Sequence, residues 1–312
     1  MNHHILPPLL VALLSGVLFP RVVARARWTR EAPRTAVAGW LLLSAAFVLA
    51  VATGVLQLLL PYASSHALAD RVAACLPWTP EGCRLPGAAS LAGLSAEEYA
   101  AVGAAAVALL LPAAALCHHL VRARRSRAQH SSVLRLVGRT DPALRAVVID
   151  HDTPAVYCLP GRTARIVVSS GARKTLTPPQ LAAALEHERA HIAGRHHLLI
   201  SAAETFGGIF RRLPLGRMVR TEVPLLLEMA ADDRALRRCS RDALATALYA
   251  MATGQQTPPM AFAAGGPSAA LRMRRILTPH RHGHPALRGI LAGALAAAAV
   301  TPLVLACCSQ PG

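Results

Sequence analysis

Long apolar runs alternate with short polar segments in the first part of the chain, and one more apolar run lies near its end. A spanning helix needs about 20 predominantly apolar residues. Four runs are candidates, at residues 5–19, 36–60, 99–121 and 290–307. The first is short and contains two prolines, and arginines follow it instead of preceding it. A cleaved signal peptide has the opposite order, so we expect a retained helix and four transmembrane helices.

Between the third and fourth runs the pattern is that of a small α+β domain. Three β-branched runs predict short strands, at 145–150, 154–158 and 165–170. A helix should begin at Thr177, because Pro178 suits its first position and Gln180 is placed for a capping box. A further helix is predicted at 221–239. The fold class is therefore a multi-pass α-helical membrane protein with one small α+β domain.

Composition supports this division of the chain. Of the 312 residues, 54% are hydrophobic and only 16% are charged, and the mean hydropathy is +0.39. About a quarter of an ordinary soluble chain is charged. The deficit disfavours both a disordered chain and a purely soluble enzyme.

The formal charge of +17 comes from 33 basic and 16 acidic residues. A basic chain can bind nucleic acid, whereas in a membrane protein Lys and Arg collect in the cytoplasmic loops. The sequence contains no basic helix with interleaved aromatic residues. We therefore favour the membrane interpretation and expect no direct binding of nucleic acid.

The arginines also predict how the chain is oriented. The loop at 21–35 carries five Arg and one Glu, whereas the loop at 61–98 carries two Arg and four acidic residues. By the positive-inside rule the first loop is cytoplasmic and the second is external. We expect three transmembrane helices within residues 1–128, a cytoplasmic domain at 129–285, and a fourth transmembrane helix with a short external tail at 286–312. Both termini then lie outside the cell membrane.

Two cysteines, Cys75 and Cys83, lie eight residues apart in the predicted external loop. Thiols oxidise in that compartment, so the two can form a disulfide. Spacing alone does not fix disulfide geometry, and a free pair is the alternative.

The helix that begins at Thr177 carries the sequence His187-Glu188-Arg189-Ala190-His191, an HExxH motif. Four residues are close to one helical turn, so both imidazoles face the same side and can bind one metal ion. Imidazole suits zinc, and Glu188 can accept a proton from water during peptide hydrolysis. The alternative is a surface helix that bears Arg and His.

A third metal ligand is expected on the helix at 221–239, where Glu228 and Asp232 are one turn apart. Glu228 is the candidate ligand, and Asp232 can hold a ligand histidine through its other ring nitrogen. The alternative for Glu228 is a solvated carboxylate that balances Arg234 or Arg237.

Together these residues resemble the signatures of membrane gluzincins, which include the HtpX heat-shock protease, the CAAX prenyl protease and the BlaR/MecR-type antirepressor proteases. The signatures are HExxH at 187–191, RH at 195–196 and ExxAD at 228–232. The layout, with the protease between the third and fourth helices, is most similar to the BlaR/MecR type. The resemblance implies a zincin-like zinc metalloprotease domain. It also implies a substrate, a winged-helix repressor of the BlaI/MecI type whose cleavage transduces a signal.

The chain also departs from the BlaR/MecR type. Those receptors carry a large external penicillin-binding sensor domain after the last helix, whereas only residues 309–312 follow Cys308 here. We therefore expect no direct sensing of β-lactams, and the loop at 61–98 or a separate partner would receive the signal. A non-catalytic receptor or scaffold with a structural zinc site is an alternative function. A metal transporter is disfavoured, because no predicted span holds a central His, Asp or Glu.

Some features of the domain have two interpretations. The strand at 165–170 is either a core strand or an edge strand for an extended substrate. The charged segment 198–219 is expected at the membrane interface, and His196 and His197 are expected as polar residues near that surface. Arg272 and Arg275 can stabilise an oxyanion, but contact with anionic lipid is favoured.

Overall fold

The computed structural model describes residues 6–59, 95–161, 164–254 and 267–278. Helices form most of this part of the chain, and a single four-stranded sheet lies between the long fifth helix and the HExxH helix. The helices are α1 (Leu6–Leu13), α2 (Phe19–Arg25), α3 (Trp28–Glu31), α4 (Pro33–Leu59), α5 (Ala96–Val137), α6 (Ser170–Thr175), α7 (Pro178–Ala193), α8 (His196–Ile209), α9 (Pro214–Ala235), α10 (Arg241–Gly254) and α11 (Pro267–Leu277). The strands are β1 (Arg139–Asp141), β2 (Ala146–Ile149), β3 (Val156–Leu159) and β4 (Arg165–Ser169).

Three helical stretches of the described chain are long and apolar enough to cross a membrane: Leu6–Arg25, Pro33–Leu59 and Ala96–Val137. The first joins α1 to α2 through a π-helical turn at Leu14–Leu18. These stretches coincide with the first three predicted spans. The predicted fourth span at 290–307 lies outside the described residues, as do Cys75 and Cys83.

Helix α5 is much longer than the apolar run that predicted it. Its 42 residues correspond to about 63 Å at 1.5 Å per residue, about twice the thickness of a bilayer's hydrocarbon core. The helix continues past the apolar run because the residues that follow it are good helix formers such as Arg and Ala. It ends at Gly138, where an added Cβ would collide with Val147 of β2 and with the Leu134 carbonyl. Helix α5 therefore runs from a candidate span directly onto the sheet.

The sheet has the strand order β1-β2-β4-β3. Strands β2 and β4 are parallel, and β1 and β3 flank them in antiparallel pairing. Strands β2, β3 and β4 confirm the three predicted runs, and β1 adds a strand that the sequence did not predict. The run at 165–170 forms β4, a central strand paired on both sides, so its interpretation as a substrate-binding edge is wrong. In the described chain β3 pairs with β4 alone, and this strand is the edge beside the HExxH helix.

Alternating residues of the strands divide the sheet into two faces. Val156, Ile166 and Val168 pack against Ala184 and Leu185 of α7 and form one core with them. The opposite face includes Val147, Val167 and Tyr157, which lie opposite one another across the strands. Tyr157 on that face contacts the C-terminal half of α5, with its hydroxyl 3.0 Å from the Nε2 atom of His130. The sheet is thus held between α5 and the helix that carries the HExxH motif.

Helices α8 and α9 form a hairpin that packs on α4. Trp40 and Phe47 of α4 are buried with Ile200 and Phe206 of α8 and with Leu226 of α9. Phe47 meets Phe206 edge to face, with ring centroids 6.4 Å apart, an arrangement that contributes about 0.5–1.5 kcal/mol beyond burial. The charged segment 198–219 is therefore two helices whose apolar sides pack against a candidate span.

Candidate metal centre

Three possible metal ligands converge from α7 and α9. The Nε2 atoms of His187 and His191 are 3.0 Å apart. Glu228 places Oε2 3.3 Å from His187 Nε2 and Oε1 3.3 Å from His191 Nε2. The histidines share one face of α7 because they are one turn apart, and α9 packs against that face. The sequence-predicted residues His187, His191 and Glu228 thus form one cluster of donor atoms.

The spacing of these donors fits a tetrahedral zinc ion. Ligand atoms bound to zinc at about 2.0–2.1 Å in a tetrahedron are about 3.3 Å from one another. The two imidazole Nε2 atoms are 3.0 Å apart, and each lies 3.3 Å from a different oxygen of Glu228, Oε2 for His187 and Oε1 for His191. Two imidazoles and one carboxylate are also a donor set of catalytic zinc sites. The chemistry and the geometry of the cluster therefore agree.

Asp232 of α9 and Arg272 of α11 lie next to the cluster and contact its residues. Asp232 is 1% exposed, and its Oδ1 atom lies 2.9 Å from Nδ1 of His187. The guanidinium of Arg272 bonds Asp232 through Nε at 2.9 Å and Nη2 at 2.8 Å, and its Nη1 lies 2.8 Å from Glu228 Oε2. Asp232 thus faces the ring nitrogen of His187 that points away from the cluster, and Arg272 neutralises both carboxylates.

The expectation that Arg272 and Arg275 contact lipid is wrong, because both side chains are buried inside the protein. Arg275 bonds the two carboxylate oxygens of Asp233 at 2.6 and 2.9 Å, and its Nε donates to the Arg30 carbonyl at 2.8 Å. These contacts fix α11 to α9 and to α3, which precedes the second candidate span. Sequence alone did not show this, because the partners are about 40 or more residues apart.

His196 is a site residue that sequence reasoning missed. It is 5% exposed, and its Nδ1 lies 2.9 Å from Nδ1 of His191. Burial and the nearby His191 lower the pKa of His196 to about 4, so it is neutral at physiological pH. A Cβ at Gly194 would collide with the His196 ring, so the glycine permits this contact. The position of His196 in the RH signature was the available signal, but His196 was expected at a membrane surface.

Glu188 is half-buried on α7 and faces β3. Burial, together with the nearby carboxylate of Glu188, raises the pKa of the Cys158 thiol on β3. The thiol is therefore protonated at physiological pH. Cys158 was also missed, although the alternation of β3 places it on the same face as Val156, which packs on α7.

The electrostatics of the cluster favour a cation. Burial opposes a charge on His187, but its contacts with Asp232 and Glu228 outweigh burial and raise the pKa of His187 to about 10. Burial likewise opposes the charge on Asp232, yet Arg272 and His187 lower the pKa of Asp232 to about 2. Glu228 behaves in the same way, and its pKa lies well below the usual range. The buried carboxylate of Asp232 and the partly buried carboxylate of Glu228 are therefore ionised beside the imidazoles, where they stabilise positive charge.

Residues 120–210 match the family model of peptidase family M48. No curated protein and no solved structure matches the chain. The matched residues include the C-terminal part of α5, the sheet and the HExxH helix, whereas Glu228, Asp232 and Arg272 lie beyond them. The match, together with three candidate spans, supports a metallopeptidase of the membrane zincin type.

Proposed function

We propose that the protein is an integral membrane zinc endopeptidase that hydrolyses peptide bonds of a cytoplasmic or membrane protein. The observation that carries this proposal is the cluster of His187, His191 and Glu228 with Glu188 beside it on α7. Zinc sites that serve only folding have four protein ligands, whereas catalytic sites have three and keep one position open. Among the described residues the cluster supplies three, which favours the enzyme over a scaffold with structural zinc.

In the proposed reaction, different residues bind the metal ion, transfer the proton and orient the imidazole ligands. A zinc ion bound here supplies a Lewis acid that polarises the substrate carbonyl and acidifies a water molecule. His187, His191 and Glu228 hold the ion. Glu188 accepts the proton of the attacking water and passes it to the leaving amine. Asp232 and His196 orient the two imidazole rings by contacting their Nδ1 atoms.

The substrate is proposed to bind along β3. This strand lies beside α7, and in the described chain its second edge carries no strand partner. An extended peptide can add to such an edge through main-chain hydrogen bonds. Addition to β3 would place the peptide near Glu188, because α7 packs beside this strand and Glu188 is close enough to raise the pKa of Cys158 on it.

The protease domain is proposed to be cytoplasmic, with residues 290–307 as a fourth span and both termini outside. The substrate that the BlaR/MecR resemblance suggests is a winged-helix repressor of the BlaI/MecI type. The support for this assignment is the arrangement of apolar runs and arginines, together with the three signatures.

Cleavage by the full-length protein tests the proposed activity. Purified protein in lipid vesicles should cut a candidate BlaI/MecI-type repressor, lose this activity when a chelator removes its metal, and regain it with about one zinc per chain. The measurement is the appearance of repressor fragments, with metal content determined on the same samples. Cleavage that persists after complete removal of the metal would contradict a zinc endopeptidase.

A reporter assay tests the orientation. A phosphatase that is active only outside the cytoplasm should be inactive when fused after Arg127 and active when fused at Gly87, because arginines are retained on the cytoplasmic side. Activity from the Arg127 fusion together with silence from the Gly87 fusion would invert the topology and move the protease domain across the membrane.

A further inference from the structure

The contacts of Arg272 with Glu228 and Asp232 are unequal in a way that bears on metal binding. Arg272 is 3% exposed and lies on α11, behind the cluster of donors. It holds both oxygens of Asp232, but only one oxygen of Glu228, Oε2, which lies 2.8 Å from its Nη1. The other oxygen, Oε1, lies 3.3 Å from His191 Nε2.

We propose that Arg272 is a positioning residue that restricts Glu228 to one ligating oxygen and so preserves an open position on the metal ion. Both oxygens of Glu228 are the same distance, 3.3 Å, from an imidazole nitrogen of the cluster. Without Arg272, either or both could therefore bind one ion. A charge-assisted bond of 2.8 Å occupies Oε2 and leaves Oε1 as the ligand. This inference rests on the proposed function, since it concerns the same metal centre.

Charge shows that Arg272 does not act by tightening metal binding. A buried guanidinium close to a divalent cation repels it, so the affinity for metal would be higher with a neutral residue at position 272. In this proposal the Arg272 guanidinium is nevertheless placed here because it controls the geometry of Glu228. A purely structural role and a positioning role for Arg272 therefore lead to different expected results when the residue is substituted.

The geometry also requires arginine in particular. The planar guanidinium bonds Asp232 and Glu228 at once, whereas a lysine ammonium is a single point charge on a flexible chain. Arg275, one turn away on α11, anchors the helix to Asp233 and to the Arg30 carbonyl. Because α11 is fixed at this second point, Arg272 is held in register with Glu228.

Coordination of Co²⁺ in the full-length protein tests the inference without any proteolysis assay. The variants are Arg272→Met, which removes the donors, and Arg272→Lys, which keeps the charge. Arg274→Met, at an exposed position of the same helix, is the matched control. Visible absorption reports the coordination of Co²⁺, since its intensity falls as ligands are added, and X-ray absorption counts the ligands directly.

We expect Arg272→Met to keep about one metal ion per chain while its coordination number rises from about four to about five, as Glu228 binds through both oxygens. The absorption of Co²⁺ should weaken accordingly. Arg272→Lys should restore part of the wild-type spectrum, and Arg274→Met should match the wild type. Circular dichroism identifies a variant that has not folded. If Arg272→Met does not fold, the Co²⁺ absorption spectrum of Arg272→Lys decides between the outcomes.

An unchanged Co²⁺ spectrum in folded Arg272 variants would overturn the inference. So would loss of metal from folded Arg272→Met and Arg272→Lys, since Arg272 would then be needed only to build the site. The inference and the proposed function fail in distinguishable ways. A wild-type protein that binds no metal overturns both, whereas altered coordination in a protein that never cleaves a peptide supports the inference and refutes the endopeptidase.

Discussion

Replacing Glu188 by Gln is expected to abolish proteolysis while metal content and fold stay unchanged. Glutamine keeps the size of glutamate but cannot accept the proton of the attacking water. General-base catalysis contributes about 10²- to 10⁴-fold in rate, so cleavage should fall by about that factor. The cluster of His187, His191 and Glu228 does not include Glu188, and metal binding should therefore persist.

The measurement is the rate at which vesicles containing wild-type or variant protein cut a candidate repressor, with zinc determined on both samples. Glu186→Gln is the matched control. Glu186 lies two residues earlier on α7 and pairs with Arg189 and Arg238, at 2.6 and 3.2 Å. Such ion pairs are worth about 1 kcal/mol or less near the surface, so this variant should remain active. If Glu188→Gln cuts as fast as the wild type, Glu188 is not the base and the proposed mechanism is wrong.

Local signals in the sequence were sufficient for the main elements of the fold. The apolar runs predicted three candidate spans, because length and hydropathy decide that property within a single segment. The β-branched runs predicted β2, β3 and β4. The start of α7 was predicted from Thr177 and Gln180, and the Gln180 side chain accepts the Thr177 backbone N–H at 2.9 Å. Each of these features depends on residues within one helical turn or one strand.

The surroundings of the metal cluster could not be predicted in this way. The contact of Arg272 with Asp232 joins residues 40 positions apart, and that of Arg275 with Arg30 joins residues 245 positions apart. No periodicity encodes such pairs, because they depend on how α11 packs against α9 and α3. The same applies to Cys158, whose approach to Glu188 depends on strand order. From the sequence alone, Arg272 and Arg275 were therefore expected to contact lipid, whereas the packing of α11 buries both side chains inside the protein.

The resemblance seen in the sequence signatures extends further along the chain than the match to the family model does. The match to peptidase family M48 ends at residue 210, before α9, α10 and α11. The signature at 228–232 suggested the third ligand, and the structure brings Glu228 to the two histidines. The hairpin of α8 and α9 accounts for this approach, because it packs on α4 and returns the chain to α7. A candidate span thus helps to position a residue of the metal centre.

Removing any one of the three donors is expected to abolish stoichiometric zinc binding. His187→Ala, His191→Ala or Glu228→Ala would leave two protein ligands in place of three, fewer than zinc sites in proteins use. Asp232→Asn should lower the metal affinity by a smaller amount, because Asp232 contacts His187 Nδ1 and is not one of the three donors. Loss of such an outer contact costs about 10- to 100-fold in metal affinity, and the three ligand variants should lose more than this.

Competition with chelators of known strength measures these affinities on full-length protein, with Glu186→Gln again as a control for the effect of substitution on α7 and its surroundings. The expected order of affinity is wild type and Glu186→Gln, then Asp232→Asn, then the three alanine variants. Zinc bound at full occupancy and wild-type affinity by Glu228→Ala would remove Glu228 from the ligand set. Another residue would then have to supply the third ligand, and the arrangement of α9 beside α7 would need another explanation.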